Sequence, residues 1–342
     1  MNNTLKLLIK KPKLIPFALE SYLREVIFRP DRSLKKGIDY IDESNDEWLK
    51  AAPIPSWRYE FGATVLNNEI YVIGGLSIPT VYNVLRKVEV YNVDNDTWRE
   101  VVPFPVIIHH PAVASLNGKI YVLGGNGLRI SAYSYVFEYN PKEYIWRRKR
   151  DMPTKRGAAG VAVHDNLIYV MGGAVPHGWK KKKVRKEFEA YNPHTDKWEI
   201  LPPLPTPREH LASTTAGGLI FALGGYITSM FEPLDINEAY NPMTGKWEKR
   251  APLPLPLCGF PAVGIDDSIF IFGGEQGWAI SGHTYEYKIL QDRWYRRKDM
   301  PLGRYAAVAV SLNNRIHVIG GKSLMFGYIF SNEHDVYIPP KD

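Results

Sequence analysis

The chain carries a single cysteine, Cys258, among its 342 residues. No intramolecular disulfide can form, so stability must come from packing and hydrogen bonding, and a reducing compartment, the cytoplasm, is expected. No apolar run approaches the roughly 20 residues that span a bilayer, which argues against a transmembrane segment. The short apolar stretches near the N-terminus, around Leu7 to Ile9 and Leu14 to Leu19, are split by Lys10, Lys11 and Lys13 and make a poor secretory leader. Paired cysteines for zinc are absent, as are the glycine patterns of phosphate-binding loops, and no cofactor or metal is expected.

The net charge of +7 suggests nucleic acid until it is located. Residues 1–36 hold nine basic and three acidic residues, which leaves the remainder close to neutral. Within that remainder one loop, Lys180 to Lys186, concentrates six cations. A broad basic face is therefore missing, and general nucleic-acid binding is not expected. The residues from about Ile15 to Phe28 pattern as a basic amphipathic helix, with Phe17, Leu23 and Ile27 on its apolar side. Residues 1–37 thus form an N-terminal extension that packs on the main body or contacts a membrane surface or partner.

Aromatics are plentiful, with 21 Tyr and 9 Trp, and they recur. Six Gly-Gly pairs, from Gly74-Gly75 to Gly320-Gly321, are spaced by 47 to 52 residues, so one supersecondary unit fills each period. Each pair ends a short apolar run such as Ile120-Tyr121-Val122-Leu123, which reads as a buried strand. A turn pair such as Asn67-Asn68 or Asn117-Gly118 precedes each run and marks a two-residue hairpin. After the first five pairs come a variable loop, a tyrosine (Tyr91, Tyr139, Tyr191, Tyr240, Tyr287) and, seven residues on, a tryptophan (Trp98, Trp146, Trp198, Trp247, Trp294). Four antiparallel strands per repeat make a propeller blade, and the fold class is all-β.

These residues resemble the kelch repeat, whose blade signature is Gly-Gly after the second strand, tyrosine in the third and tryptophan in the fourth. The resemblance covers about residues 38–339 and implies a six-bladed kelch β-propeller. The last repeat has Tyr337 but no following tryptophan, whereas Trp48 stands near the N-terminus with no Gly-Gly before it. The N-terminal strand near 38–50 is therefore expected to close blade six, since a ring leaves no sheet edge open.

Counting back 17 residues from each second glycine gives Arg58, Ile108, Arg156, Arg208, Leu257 and Arg304. The next two columns read Tyr59, His109, Gly157, Glu209, Cys258, Tyr305 and Glu60, His110, Ala158, His210, Gly259, Ala306. All should lie at the mouth of the innermost strands, where arginine, histidine, carboxylate and tyrosine compose a polar ligand site. The planar arginine fork favours a carboxylate or phosphate, although repeated arginines also serve as structural staples. The expected function is a non-enzymatic module binding an acidic protein or peptide segment, or a small anionic ligand, through Arg58, Glu60, His110, Arg156, Arg208, Glu209, His210, Arg304 and Tyr305. With only about 35 residues before the repeats, an adaptor domain of the ubiquitin-ligase kind is not expected. The alternative resembles the six-bladed kelch mutarotases that act on sialic acid: an arginine would hold the sugar carboxylate while Glu60 or Glu209, with His110 or His210, moves the proton. The tyrosine and tryptophan columns are expected to pack blade against blade.

Overall fold

The computed structural model describes residues 39–40, 46–77, 83–128, 131–177, 181–323 and 330–340. The basic amphipathic segment of the N-terminal extension lies outside the described residues. Blade one is built from Gly62–Leu66, Glu69–Ile73, Val88–Asn92 and Thr97–Val101, paired in that order as an antiparallel meander. Blades two to four repeat it, beginning at Ala112–Leu116, Gly160–His164 and Ala212–Ala216. Blade five runs from Ala262–Ile265 to Arg293–Arg297. Blade six has Val308–Leu312, Arg315–Ile319 and His334–Ile338, and its outer strand is Glu47–Lys50, with Trp48 opposite Tyr337. The ring is closed by the N-terminal strand, as the displaced tryptophan implies. Asp39–Tyr40 goes elsewhere: it adds a parallel fifth strand to blade five beside Arg293–Arg297. Among the described residues no helix is long and apolar enough to cross a membrane.

The core is divided among the six interfaces between neighbouring blades. Blades one and two meet through Tyr71, Ile73 and Val90 against Val113, Val122 and Tyr139, and blades six and one through Leu312 and Ile319 against Ile70 and Val72. The aromatic columns latch these interfaces. The six column tryptophans donate their indole N–H to the connector that enters their own blade: Trp48 to Lys298, Trp98 to Ala52, Trp146 to Val102, Trp198 to Arg150, Trp247 to Pro202 and Trp294 to Ala251, at 2.8–3.3 Å. In four blades the tyrosine hydroxyl bonds an aspartate (Asp46, Asp96, Asp196, Asp292) that also accepts a connector N–H.

The Gly-Gly pairs solve a related problem. The second glycine of each pair donates its N–H to the carbonyl 17 residues upstream of the next second glycine, as Gly75 does to Ile108 (2.8 Å) and Gly321 to Arg58 (3.0 Å). A Cβ on Gly74 would sit 2.4 Å from that same Ile108 carbonyl, and φ there is +68°, so a side chain is excluded by both contact and conformation.

A second set of bonds encircles the channel. Glu60, His110, Ala158, His210, Gly259 and Ala306 all have φ between +51° and +60°. Each N–H donates to the carbonyl of its equivalent in the preceding blade: His110 to Glu60, Ala158 to His110, His210 to Ala158, Gly259 to His210, Ala306 to Gly259 and Glu60 to Ala306, at 2.7–3.2 Å. This closed circle of six backbone hydrogen bonds joins six blades end to end. The channel has a volume of about 370 Å³ and is lined by the innermost strands through residues such as Thr64, Ala114, Ala162, Thr214 and Val310.

Candidate functional site at the channel mouth

The expected arginine site does not open to a ligand. Arg58, Arg156, Arg208 and Arg304 are 0–1% exposed, among the most buried large side chains of the molecule. Each turns into its own blade and pairs with a buried acid on the third strand: Arg58 with Glu89 (2.5 Å), Arg156 with Glu189 (2.5 Å), Arg208 with Glu238 (2.6 Å) and Arg304 with Asp335 (2.7 Å). Arg208 further donates to the carbonyls of Thr206 (2.8 Å) and Ala222 (2.9 Å). Burial lowers each guanidinium's proton affinity and the facing carboxylate opposes it. A guanidinium so enclosed, with its charge already neutralised, cannot dock a partner without breaking the pair. The sugar-acid mutarotase reading loses its carboxylate anchor for the same reason.

What gathers at the mouth is different. Of the six ring positions three are Ala or Gly, and the three large side chains, Glu60, His110 and His210, fold into the space those leave. Glu60 touches His110 Nε2, His110 Nε2 lies 2.9 Å from His210 Nε2, and His210 Nε2 is 4.0 Å from Glu60 Oε1. The residue before each ring position bridges to the residue after the Gly-Gly pair, as His109 does to Asn126, Glu209 to Tyr226, Cys258 to Glu275 and Tyr305 to Lys322. That bridge draws a second group of residues inward.

Glu209 Oε2 stands 3.3 Å from His210 Nδ1, and Tyr226 stacks on the His210 ring at 5.1 Å. Cys258 donates its thiol to Glu275 at 3.4 Å. The Lys322 ammonium, 8% exposed, sits among the rings of Tyr59, Phe330 and Tyr305 at 5.7–5.9 Å. Burial dominates the protonation of this cluster: it pushes Glu275 up to about 7, raises the Cys258 thiol and the Tyr226 and Tyr305 hydroxyls, and lowers Lys322. His109 is held neutral, lowered to about 4 by burial.

Five of the expected site residues, Glu60, His110, Glu209, His210 and Tyr305, therefore do assemble, and the four arginines do not. Glu275, Tyr226 and Lys322 were not foreseen. They occupy the position directly after Gly-Gly, where Leu76, Asn126, Ala174, Tyr226, Glu275 and Lys322 form a column that is polar in four repeats. The mouth thus gathers three carboxyl groups, Glu60, Glu209 and Glu275, the last holding its proton up to about pH 7, together with Lys322.

Comparison with known proteins agrees with this architecture. The model of the attractin/LZTR1 β-propeller matches residues 33–233, more than half of the sequence. The chain belongs to that family. Kelch-like protein 40 of Xenopus tropicalis is 31% identical over 202 residues, which is 58% of this chain and 32% of the relative. Beta-scruin of Limulus polyphemus is 34% identical over 100 residues, 29% of this chain and 10% of its own length, and Kelch-like protein terF of Aspergillus terreus is 28% identical over 189 residues, 52% and 40%. The match to Kelch-like protein 40 spans about a third of that relative. The solved structure of YjhT superposes with a TM-score of 0.71 over 83% of this chain and 96% of that one; at 19% identity the likeness is one of fold. The protein is thus a kelch propeller, and a propeller scaffold leaves function to its loops.

Proposed function

We propose that this kelch propeller is a non-enzymatic interaction module that docks an acidic, apolar-anchored protein segment on the loop rim of blades three to five, as a protein of a reducing compartment such as the cytoplasm. The observation carrying this reading is an exposed aromatic pair. Phe231 and Trp278, on the rim loops of blades four and five, stack at 4.1 Å with planes 14° apart, and they stay 36% and 54% exposed beside Ile227 at 43%. Large aromatics left in solvent on a loop face are the side chains that anchor interfaces.

The rim also carries charge. The rim hairpin of blade three, the neighbour of blade four, pairs Ala174–His177 with Lys181–Val184, and the sequence from Lys180 to Lys186 that includes its second strand carries six cations. The acidic character expected of a partner rests on these cations, since the arginine column is closed. An acidic segment would lie along the lysines and place an apolar residue on Trp278.

The test is selection of a displayed random peptide library on the full chain. Enriched peptides should combine acidic and apolar residues and weaken with added salt. Trp278→Ala should cost at least about 2 kcal/mol, roughly 30-fold in affinity, as the loss of an anchor does. Peptides that bind the Trp278→Ala protein as tightly as the parent would refute the reading.

A further inference from the structure

Two neighbouring blades each leave one apolar side chain in solvent at the same repeat position. Three residues after the third-strand tyrosine, in the turn to the outer strand, blades one to three carry Asp94, Lys142 and His194, whereas blades four and five carry Met243 and Leu290. Met243 is 88% and Leu290 84% exposed, more than any other large hydrophobic residue among those described. Equivalent positions of adjacent blades face the same way, so the two side chains present one side of the ring. That side is the one opposite the channel mouth. The Ile289 N–H donates to the Asp267 carbonyl at 3.0 Å and so ties the Leu290 turn to the hairpin between the first two strands of blade five.

The N-terminal extension arrives at the same turn. Asp39–Tyr40 pairs parallel with the outer strand of blade five, Asp39 opposite Tyr295 and Tyr40 opposite Arg296. In a parallel ladder the positions before Asp39 lead toward Trp294 and Arg293, so the backbone enters from the strand end next to Ile289–Gln291, the turn that carries Leu290. Around the two turns exposed charges are mixed, with Lys246, Lys249 and Arg293 beside Glu248, Asp267 and Asp292. The sequence of residues 1–36, by contrast, holds nine basic and three acidic residues together with the amphipathic pattern from Ile15 to Phe28. The turns thus supply apolar tips, and the extension supplies positive charge.

We propose that residues 1–36, together with Met243 and Leu290, dock the propeller on an anionic lipid bilayer with the channel mouth facing away from it. A lipid surface suits this combination because a basic amphipathic segment and isolated apolar loop tips each enter an interface that needs no complementary shape. The two signals together give an attachment that one alone does not. This inference does not rest on the interaction reading, whose aromatic pair lies on the rim loops of the opposite face.

The experiment is co-sedimentation of the full chain with vesicles of phosphatidylcholine, with and without phosphatidylserine. The chain should pellet with the anionic vesicles, leave them in high salt and stay in solution with the neutral ones. Deleting residues 1–36 should weaken binding roughly 100-fold, given the number of cations removed. Lys6→Glu/Lys10→Glu/Lys11→Glu/Lys13→Glu, which leaves every described residue unchanged, should weaken it in the same direction. Met243→Asp/Leu290→Asp should cost on the order of 10-fold, as two partly inserted side chains do, while the melting temperature stays that of the parent because neither side chain is packed. The proposal is overturned if the parent does not pellet with anionic vesicles or pellets equally with neutral ones. It is overturned also if the extension variants or the turn variant bind as the parent does. An extension that instead grips an acidic protein would leave the full chain in solution with both kinds of vesicle, which likewise overturns it.

Discussion

The buried pair of Arg208 and Glu238 offers a quantitative test, because the molecule contains its own apolar substitute. Both side chains are fully buried. Arg208→Ile alone would leave the Glu238 carboxylate inside the blade without its counter-charge, a loss that costs about 3–5 kcal/mol. Blade two shows how the same space is filled without charge: Val106, Ile108 and Phe137 stand where blade four has Thr206, Arg208 and Glu238, and Ile108 and Phe137 are buried. Thr206 belongs in the exchange because its hydroxyl donates to Glu238 at 2.8 Å. The triple variant Thr206→Val/Arg208→Ile/Glu238→Phe removes the three polar side chains together, leaving only the Thr206 and Ala222 carbonyls without the guanidinium, and well-packed apolar replacements of ion pairs are commonly neutral or stabilising. An unfolding entropy of about 2.1 cal/mol/K per residue over 342 residues makes 1 kcal/mol worth roughly 1.4 °C. Calorimetry should therefore find Arg208→Ile lowered by about 4–7 °C and the triple variant within about 2 °C of the parent. A single variant as stable as the parent would show that the pair is not buried as described, and a triple variant that melts lower still would show that the guanidinium's bonds to Thr206 and Ala222 matter more than its charge.

Three further outcomes follow from the structure. Glu275, pushed up to about 7 chiefly by burial and faced by Cys258, His210, Glu60 and Lys322, keeps its proton in the fold after the unfolded chain has released its own near 4.5. Stability should thus fall by about 3 kcal/mol as pH rises through that window; urea titrations of Glu275→Gln should lack this fall. His317 and His334, a buried pair 2.8 Å apart, are lowered by burial to about 4 and 3, so stability is lost as pH falls below about 6.5, where the unfolded rings take protons first. His317→Phe, which supplies the kind of ring found at Phe221 and Phe270 in the same register, should reduce that acid sensitivity in denaturation curves. Deleting residues 38–50 should expose the outer edge of His334–Ile338 and lower the melting temperature sharply; a truncated protein that melts like the parent would contradict closure by Glu47–Lys50.

Repeat number, blade boundaries and ring closure were legible because they follow from one-dimensional regularities. A Gly-Gly pair with no room for Cβ, a tyrosine and a tryptophan at fixed spacing and a displaced Trp48 each report a local need that recurs in every blade. Even the fate of the arginines was written there: the residue two before the third-strand tyrosine is acidic at Glu89, Glu189, Glu238 and Asp335, in the four blades that carry arginine, and is Phe137 or Tyr285 where the column holds Ile108 or Leu257. What the column alone does not say is which way a side chain turns, and only the tertiary structure decided that. The arginines point into their own blades, toward an acid about 30 residues away. The ring residues two positions on take positive φ and turn toward the channel. The mouth joins Glu60, His110 and His210 from blades one, two and four with Glu275 and Lys322 from the corners after Gly-Gly. Such a constellation has no spacing in sequence, because its members become neighbours only when six separately patterned blades close into a circle.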